Sequence, residues 1–84
     1  MSFTLQVPDS VARGLRLPEG EALERLHSEL ALSLYAQDLL SFGKAAELAA
    51  VSRYQFAGLV ARRGIPRHYG PEDLAEDLAY GRGE

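Results

Sequence analysis

The chain contains no cysteine among its 84 residues, so neither a disulfide framework nor a thiolate-held zinc can substitute for packed side chains. It also lacks any stretch of roughly 18 uncharged apolar residues. Its opening, Met1-Ser2-Phe3-Thr4-Leu5-Gln6-Val7, has no basic start followed by a long apolar run. Neither a membrane span nor a secretory leader is expected, and a cytoplasmic protein is. Histidine is nearly as scarce: His27 and His68 are the only two. Neither has a nucleophile, carboxylate or second ligand at a recognisable spacing, and Tyr69 adds none. Catalysis, a metal site and a cofactor are therefore not expected. What remains is one small domain with a narrow stability margin, for which self-association is an available source of further core.

Acidic residues outnumber basic ones overall, with a net charge of -3, but the signs are segregated. Residues 41–70 carry Lys44, Arg53, Arg62, Arg63 and Arg67 against Glu47 alone, a net of +4. The flanks are acidic, at -3 over residues 1–40 and -4 over residues 71–84. A basic middle between acidic ends suits a central segment that meets phosphate and an end that meets something else.

The chain reads as mainly α. Phe3, Leu5 and Val7 alternate with Thr4 and Gln6 before Pro8-Asp9, the pattern of a short half-buried strand over 3–7 that must pair within the chain or across a dimer. Pro18-Glu19-Gly20-Glu21 supplies helix-start residues. A helix over 21–40 follows, with Leu23, Leu26, Leu30 and Leu34 on one stripe and Ala31, Leu32, Tyr35 and Leu39 along a second direction. That is more apolar surface than one small core absorbs. The helix is expected to dimerise, with Tyr35 and Leu39 in the interface.

Residues 41–63 read as a helix-turn-helix. Ser41 is the N-cap of the first helix, and Ser52-Arg53-Tyr54-Gln55 forms a capping box that opens the second. Gly64 stands where a left-handed residue ends that helix, with Ile65 placed to fold back on Val60. Two short helices that cross steeply need small residues where they touch, here Ala45, Ala46 and Ala49, and large ones to set the angle, here Val51, Phe56 and Leu59. A second helix of this kind enters the DNA major groove by its N-terminal end. Arg53 is placed for a guanine edge or a phosphate, Lys44, Ser52 and Tyr54 for phosphates, and Arg62 and Arg63 extend the basic face. Ala57 and Gly58, also outward, have nothing with which to hydrogen-bond a base. They fit a pure protein-interaction module better. Gly70-Pro71-Glu72-Asp73 opens a last, acidic helix over 71–79, whose Leu74 and Leu78, with Arg82 on the tail beyond, are candidate partner contacts.

The run Gly43-Lys44-Ala45-Ala46-Glu47-Leu48-Ala49, then Ser52-Arg53-Tyr54-Gln55-Phe56, the step Arg63-Gly64-Ile65-Pro66 and the acidic Glu72-to-Leu78 segment together resemble a small prokaryotic family of uncharacterised, antitoxin-like proteins, VapB-like antitoxins among them. The resemblance covers about Phe3 to Leu78. It implies a DNA-binding helix-turn-helix that represses its own operon, a homodimer, and a cognate toxin of the PIN-type ribonuclease class as partner. Members carry glycine in the turn, where this chain has Ala50.

Overall fold

The computed structural model describes residues 1–67. Four helices follow one another: α1 (Asp9–Gly14), α2 (Glu19–Ala36), α3 (Phe42–Ala49) and α4 (Arg53–Arg62). The fold is mainly helical, and no strand occurs among the described residues. The strand expected over 3–7 is therefore corrected. Its alternation is real, but a strand needs a neighbour for its backbone groups, and no described segment pairs with it. Phe3 and Leu5 accordingly stand 89% and 78% exposed. The acidic segment 71–79 lies outside the described residues.

α2 begins after Pro18, with Glu19 and Glu21 in its first turn, where acids favour the positive end of the helix dipole. It ends at Ala36, ahead of Leu40. The stop is a Schellman cap: the Asp38 N–H bonds the Tyr35 carbonyl (3.0 Å), the Leu39 N–H bonds the Leu34 carbonyl (2.9 Å), and Asp38 sits at φ 65°.

The same device ends the next two helices. After α3, Ala50 N–H reaches Glu47 O (3.0 Å) and Val51 N–H reaches Ala46 O (3.1 Å), with Ala50 at φ 60°. After α4, Gly64 N–H reaches Ala61 O (3.1 Å) and Ile65 N–H reaches Val60 O (3.1 Å), with Gly64 at φ 65°. Only the third of these left-handed positions is glycine. Asp38 tolerates the conformation through its short polar side chain, whereas Ala50 bears the steric cost of its Cβ. Ala50→Gly should therefore raise stability by about 1 kcal/mol, read as a higher midpoint in thermal unfolding followed by circular dichroism. A lowered midpoint would show that the turn does not hold this strain.

The core forms where α2, α3 and α4 meet. It comprises Ala31, Leu32 and Tyr35 from α2, Phe42, Ala45, Ala46 and Ala49 from α3, and Phe56 and Val60 from α4. At its centre three rings pack edge to face: Tyr35 to Phe42 at 5.5 Å, Tyr35 to Phe56 at 6.0 Å, and Phe42 to Phe56 at 5.2 Å between centroids. The alanines of α3 let the helices approach closely enough for one ring from each of the three helices to share that centre. Tyr35 is wholly buried and so cannot lie in a dimer interface; that expectation is corrected. The large hydrophobic side chains left exposed include Leu23 and Leu30 on α2, Leu39 after it, Met1, Phe3, Leu5, Val7 and Val11 before it, and Tyr54 on α4.

Candidate nucleic-acid interface

Both helices of the 41–63 pair start with side-chain caps. The Ser41 Oγ accepts from the Lys44 backbone N–H at 3.2 Å. Ser52 and Gln55 exchange two bonds of 3.0 Å, Gln55 N–H to Ser52 Oγ and Ser52 N–H to Gln55 Oε1, which closes the capping box. These caps let two helices of only eight and ten residues begin abruptly on either side of the turn at residues 50–52.

The charge at these starts is unusual. α1 and α2 open on acids, as the helix dipole favours, but neither α3 nor α4 has an acid in its first turn. They carry Lys44 and Arg53 instead, cations at the positive ends of two dipoles. A cation opposes the dipole at each of these starts, and at Lys44 the neighbouring Glu47 carboxylate offsets part of that cost.

The structure places the expected contact residues unequally. Tyr54, in the first turn of α4, is 90% exposed. Lys44 is mostly exposed, its Nζ lying 3.5 Å from Glu47 Oε1. Ser52 is half-buried, with its hydroxyl engaged in the cap. Arg53 is half-buried too, its guanidinium carbon 5.1 Å from the centroid of the Phe42 ring. Arg62, at the end of α4, folds back along Gly58: a Cβ there would meet Arg62 Nη1 at 3.8 Å and nothing else within 4 Å. No described backbone approaches Gly58, so the fold itself does not call for a glycine. Leu74, Leu78 and Arg82 lie outside the described residues.

Arg63 is held inside the protein's own network. Its Nη1 donates to Glu29 Oε1 at 2.8 Å and its Nη2 to Glu29 Oε2, a two-pronged pair across 34 positions of sequence that ties the end of α4 to α2. Arg25 Nε joins the same carboxylate at 2.8 Å. Hydrogen bonds from Arg63, and then from Arg25, pull the Glu29 carboxyl from its ordinary 4.5 down to about 2. Because the folded value is the lower one, this stabilisation is complete above about 4.5 and is lost as pH falls toward 2. The groups are well exposed, so solvent screening keeps the contribution small. Glu29→Gln should therefore lower the unfolding midpoint at neutral pH, and the gap from the parent should close on acidification toward pH 2. A gap that persisted unchanged would mean that the pair contributes nothing.

Sequence reading had no signal for Glu29, since the pair spans two helices and follows no local spacing. It counted Arg67 in the basic middle without a role. The structure puts the Arg67 guanidinium carbon 4.1 Å from the centroid of the same Phe42 ring that Arg53 approaches. Among the described residues no group of three or more His, Cys, Asp or Glu side chains is placed to hold a metal ion, and no helix is long and apolar enough to cross a membrane.

These features define a small helical protein whose last two described helices form a tightly turned, capped pair with cations at both starts. Its sequence matches the model of the Uncharacterised protein family (UPF0175) over residues 1–83, and the chain belongs to that family. It is 50% identical over 76 residues to a UPF0175 protein of Aeropyrum pernix, covering 90% of this chain and 81% of that one. A UPF0175 protein of Synechocystis sp. is 29% identical over 80 residues, covering 95% and 85% of the two chains. One from Archaeoglobus fulgidus is 39% identical over 49 residues, 58% of this chain and 56% of its own. No solved structure matches the chain.

Proposed function

We propose that the protein is a homodimeric, non-enzymatic DNA-binding regulator of the antitoxin type, which represses its own operon and neutralises a toxin, of the PIN-type ribonuclease class that the sequence resemblance implies. The observation that carries the DNA half is the charge at the helix starts. Two adjacent helices abandon the usual acids for Lys44 and Arg53, and the fully exposed Tyr54 follows on α4. Cations at two neighbouring helix starts, where the backbone dipole is also positive, suit an anionic partner. Of the six expected DNA contacts, Lys44, Arg53 and Tyr54 form the face. Ser52 supports it from the cap, Arg62 borders it, and Arg63 serves the bridge to Glu29.

Dimerisation is supported by the apolar side chains that the core leaves uncovered, among them Leu23 and Leu30 of α2 and Leu39 after its end. Toxin binding is assigned to the acidic segment 71–84 with Leu74, Leu78 and Arg82, on composition alone, because its charge opposes a phosphate surface. A cytoplasmic setting goes with this role.

A module that binds only protein is the competing reading, favoured by the half-buried Ala57 and Gly58, which offer no hydrogen-bonding group at those positions of α4. Titrating a labelled duplex of the DNA upstream of the chain's own gene at several salt concentrations separates the two. A DNA-binding protein releases counterions, so its affinity falls steeply with salt. Absence of any salt-dependent binding would leave the protein-only module.

A further inference from the structure

We propose that the Glu29–Arg63 pair is a brace that sets the direction of α4, which makes Glu29 and Arg63 positioning residues for sequence discrimination on DNA. The inference rests on the DNA-binding reading and deepens it, from the groups that meet DNA to the groups that aim them.

The buried side chains that fix α4 in the core are Phe56 and Val60, which lie four positions apart and so on one side of the helix. Anchors one turn apart, about 6 Å along the axis, place a helix but resist its tilting weakly. Arg63 caps the end of α4 three positions after Val60, on that same side. Its two-pronged bond to Glu29 extends the anchored length to about 10 Å. The other end of the bond lies on α2, where Glu29 precedes the buried Ala31 and Leu32. The brace therefore ties the end of α4 to the stretch of α2 on which the core is built.

The chemistry of the pair is directional. A guanidinium that donates through two nitrogens to the two oxygens of one carboxylate restricts orientation as well as distance. A lysine in its place would keep the charge and lose the fork. The acceptor is itself held: Arg25, one turn earlier on α2, donates from Nε to Glu29 Oε2 at 2.8 Å. The small contribution of this exposed network to global stability is no measure of its effect on direction. A tilt of α4 is a local movement that leaves the core assembled, and it is opposed chiefly by what holds the helix ends. Such a tilt displaces the start of α4, where Tyr54 stands 90% exposed. Base edges are read only in a narrow alignment, whereas phosphates are met over a broad one. Loss of the brace should therefore reduce discrimination and spare non-specific binding.

The test uses the full chain with fluorescein-labelled upstream and mixed-sequence duplexes, binding being followed by anisotropy well below the unfolding midpoint and over a series of KCl concentrations. Arg63→Lys preserves the net charge and removes the fork. It should lower the ratio of upstream to mixed-sequence affinity about fivefold, the lower end of what one base contact contributes, and leave the salt slope of mixed-sequence binding unchanged. Glu29→Gln and Arg63→Gln change the net charge in opposite directions, so a purely electrostatic effect would strengthen binding to both duplexes in one variant and weaken it in the other. The brace instead lowers the ratio in both. Glu29→Gln combined with Arg63→Lys should lose no more than either alone, because both remove the same contact. If Arg63→Lys and Glu29→Gln keep the parent's ratio, whatever their thermal midpoints do, the brace is overturned and the DNA-binding reading stands. A parent that binds both duplexes equally overturns the brace in the same way. A parent with no salt-dependent binding to either duplex overturns the DNA-binding reading, and the brace with it.

Discussion

Tyr35→Glu should leave the chain largely unfolded at room temperature. Tyr35 is wholly buried, and its ring meets Phe42 and Phe56 edge to face. Removing a buried aromatic ring costs about 3–5 kcal/mol in the cavity it leaves. The carboxylate then adds a further penalty, since it must either stay charged out of water or take up a proton there. A domain of this size holds roughly 5–10 kcal/mol in all, so the two losses together consume most of it. Far-ultraviolet circular dichroism would report the collapse of the helical signal. A native-like spectrum would mean that the three rings do not form the centre of the core. The informative control is Leu39→Glu. Leu39 is 66% exposed, so the charge should leave the fold intact and, if the uncovered apolar surface pairs two copies, convert dimer to monomer in sedimentation. A parent that is already monomeric at tens of micromolar, roughly where ordinary interfaces are populated, would end the dimer proposal.

Arg53→Ala should have the larger effect on function. At the first position of α4 a cation is opposed by the helix dipole, which offsets part of what losing its contact with the Phe42 ring costs the fold. Binding to the upstream duplex should weaken by about 1–3 kcal/mol, roughly fivefold to more than a hundredfold, if the guanidinium forks onto a guanine edge. The discrimination between that duplex and a mixed-sequence one should shrink at the same time, as loss of a base contact requires. An Arg53→Ala chain that melts like the parent and binds the upstream duplex as tightly would remove Arg53 from the interface.

Each feature that was legible in the sequence is local. The serine caps at Ser41 and Ser52, the Gln55 return bond and the Gly64 stop with Ile65 folded back involve partners within a few positions. Their geometry follows from backbone hydrogen-bonding demands that any helix end must meet. Where local pattern misled, the cause was a missing or unforeseen partner. The alternation of Phe3, Leu5 and Val7 suits a strand, but a strand exists only by pairing, and the described fold offers it no neighbour. Apolar spacing ran α2 on to Leu40, but Asp38 accepts a left-handed backbone without being glycine, and the helix closes early. Tyr35 had equal claim to a core and to an interface, since periodicity shows which face is apolar and not what covers it. The tertiary structure alone decided that Tyr35 belongs with Phe42 and Phe56. It alone committed Arg63 to Glu29 and gathered Arg53 and Arg67 at one ring. Those contacts join residues far apart in sequence, whose encounter depends on how α2, α3 and α4 pack.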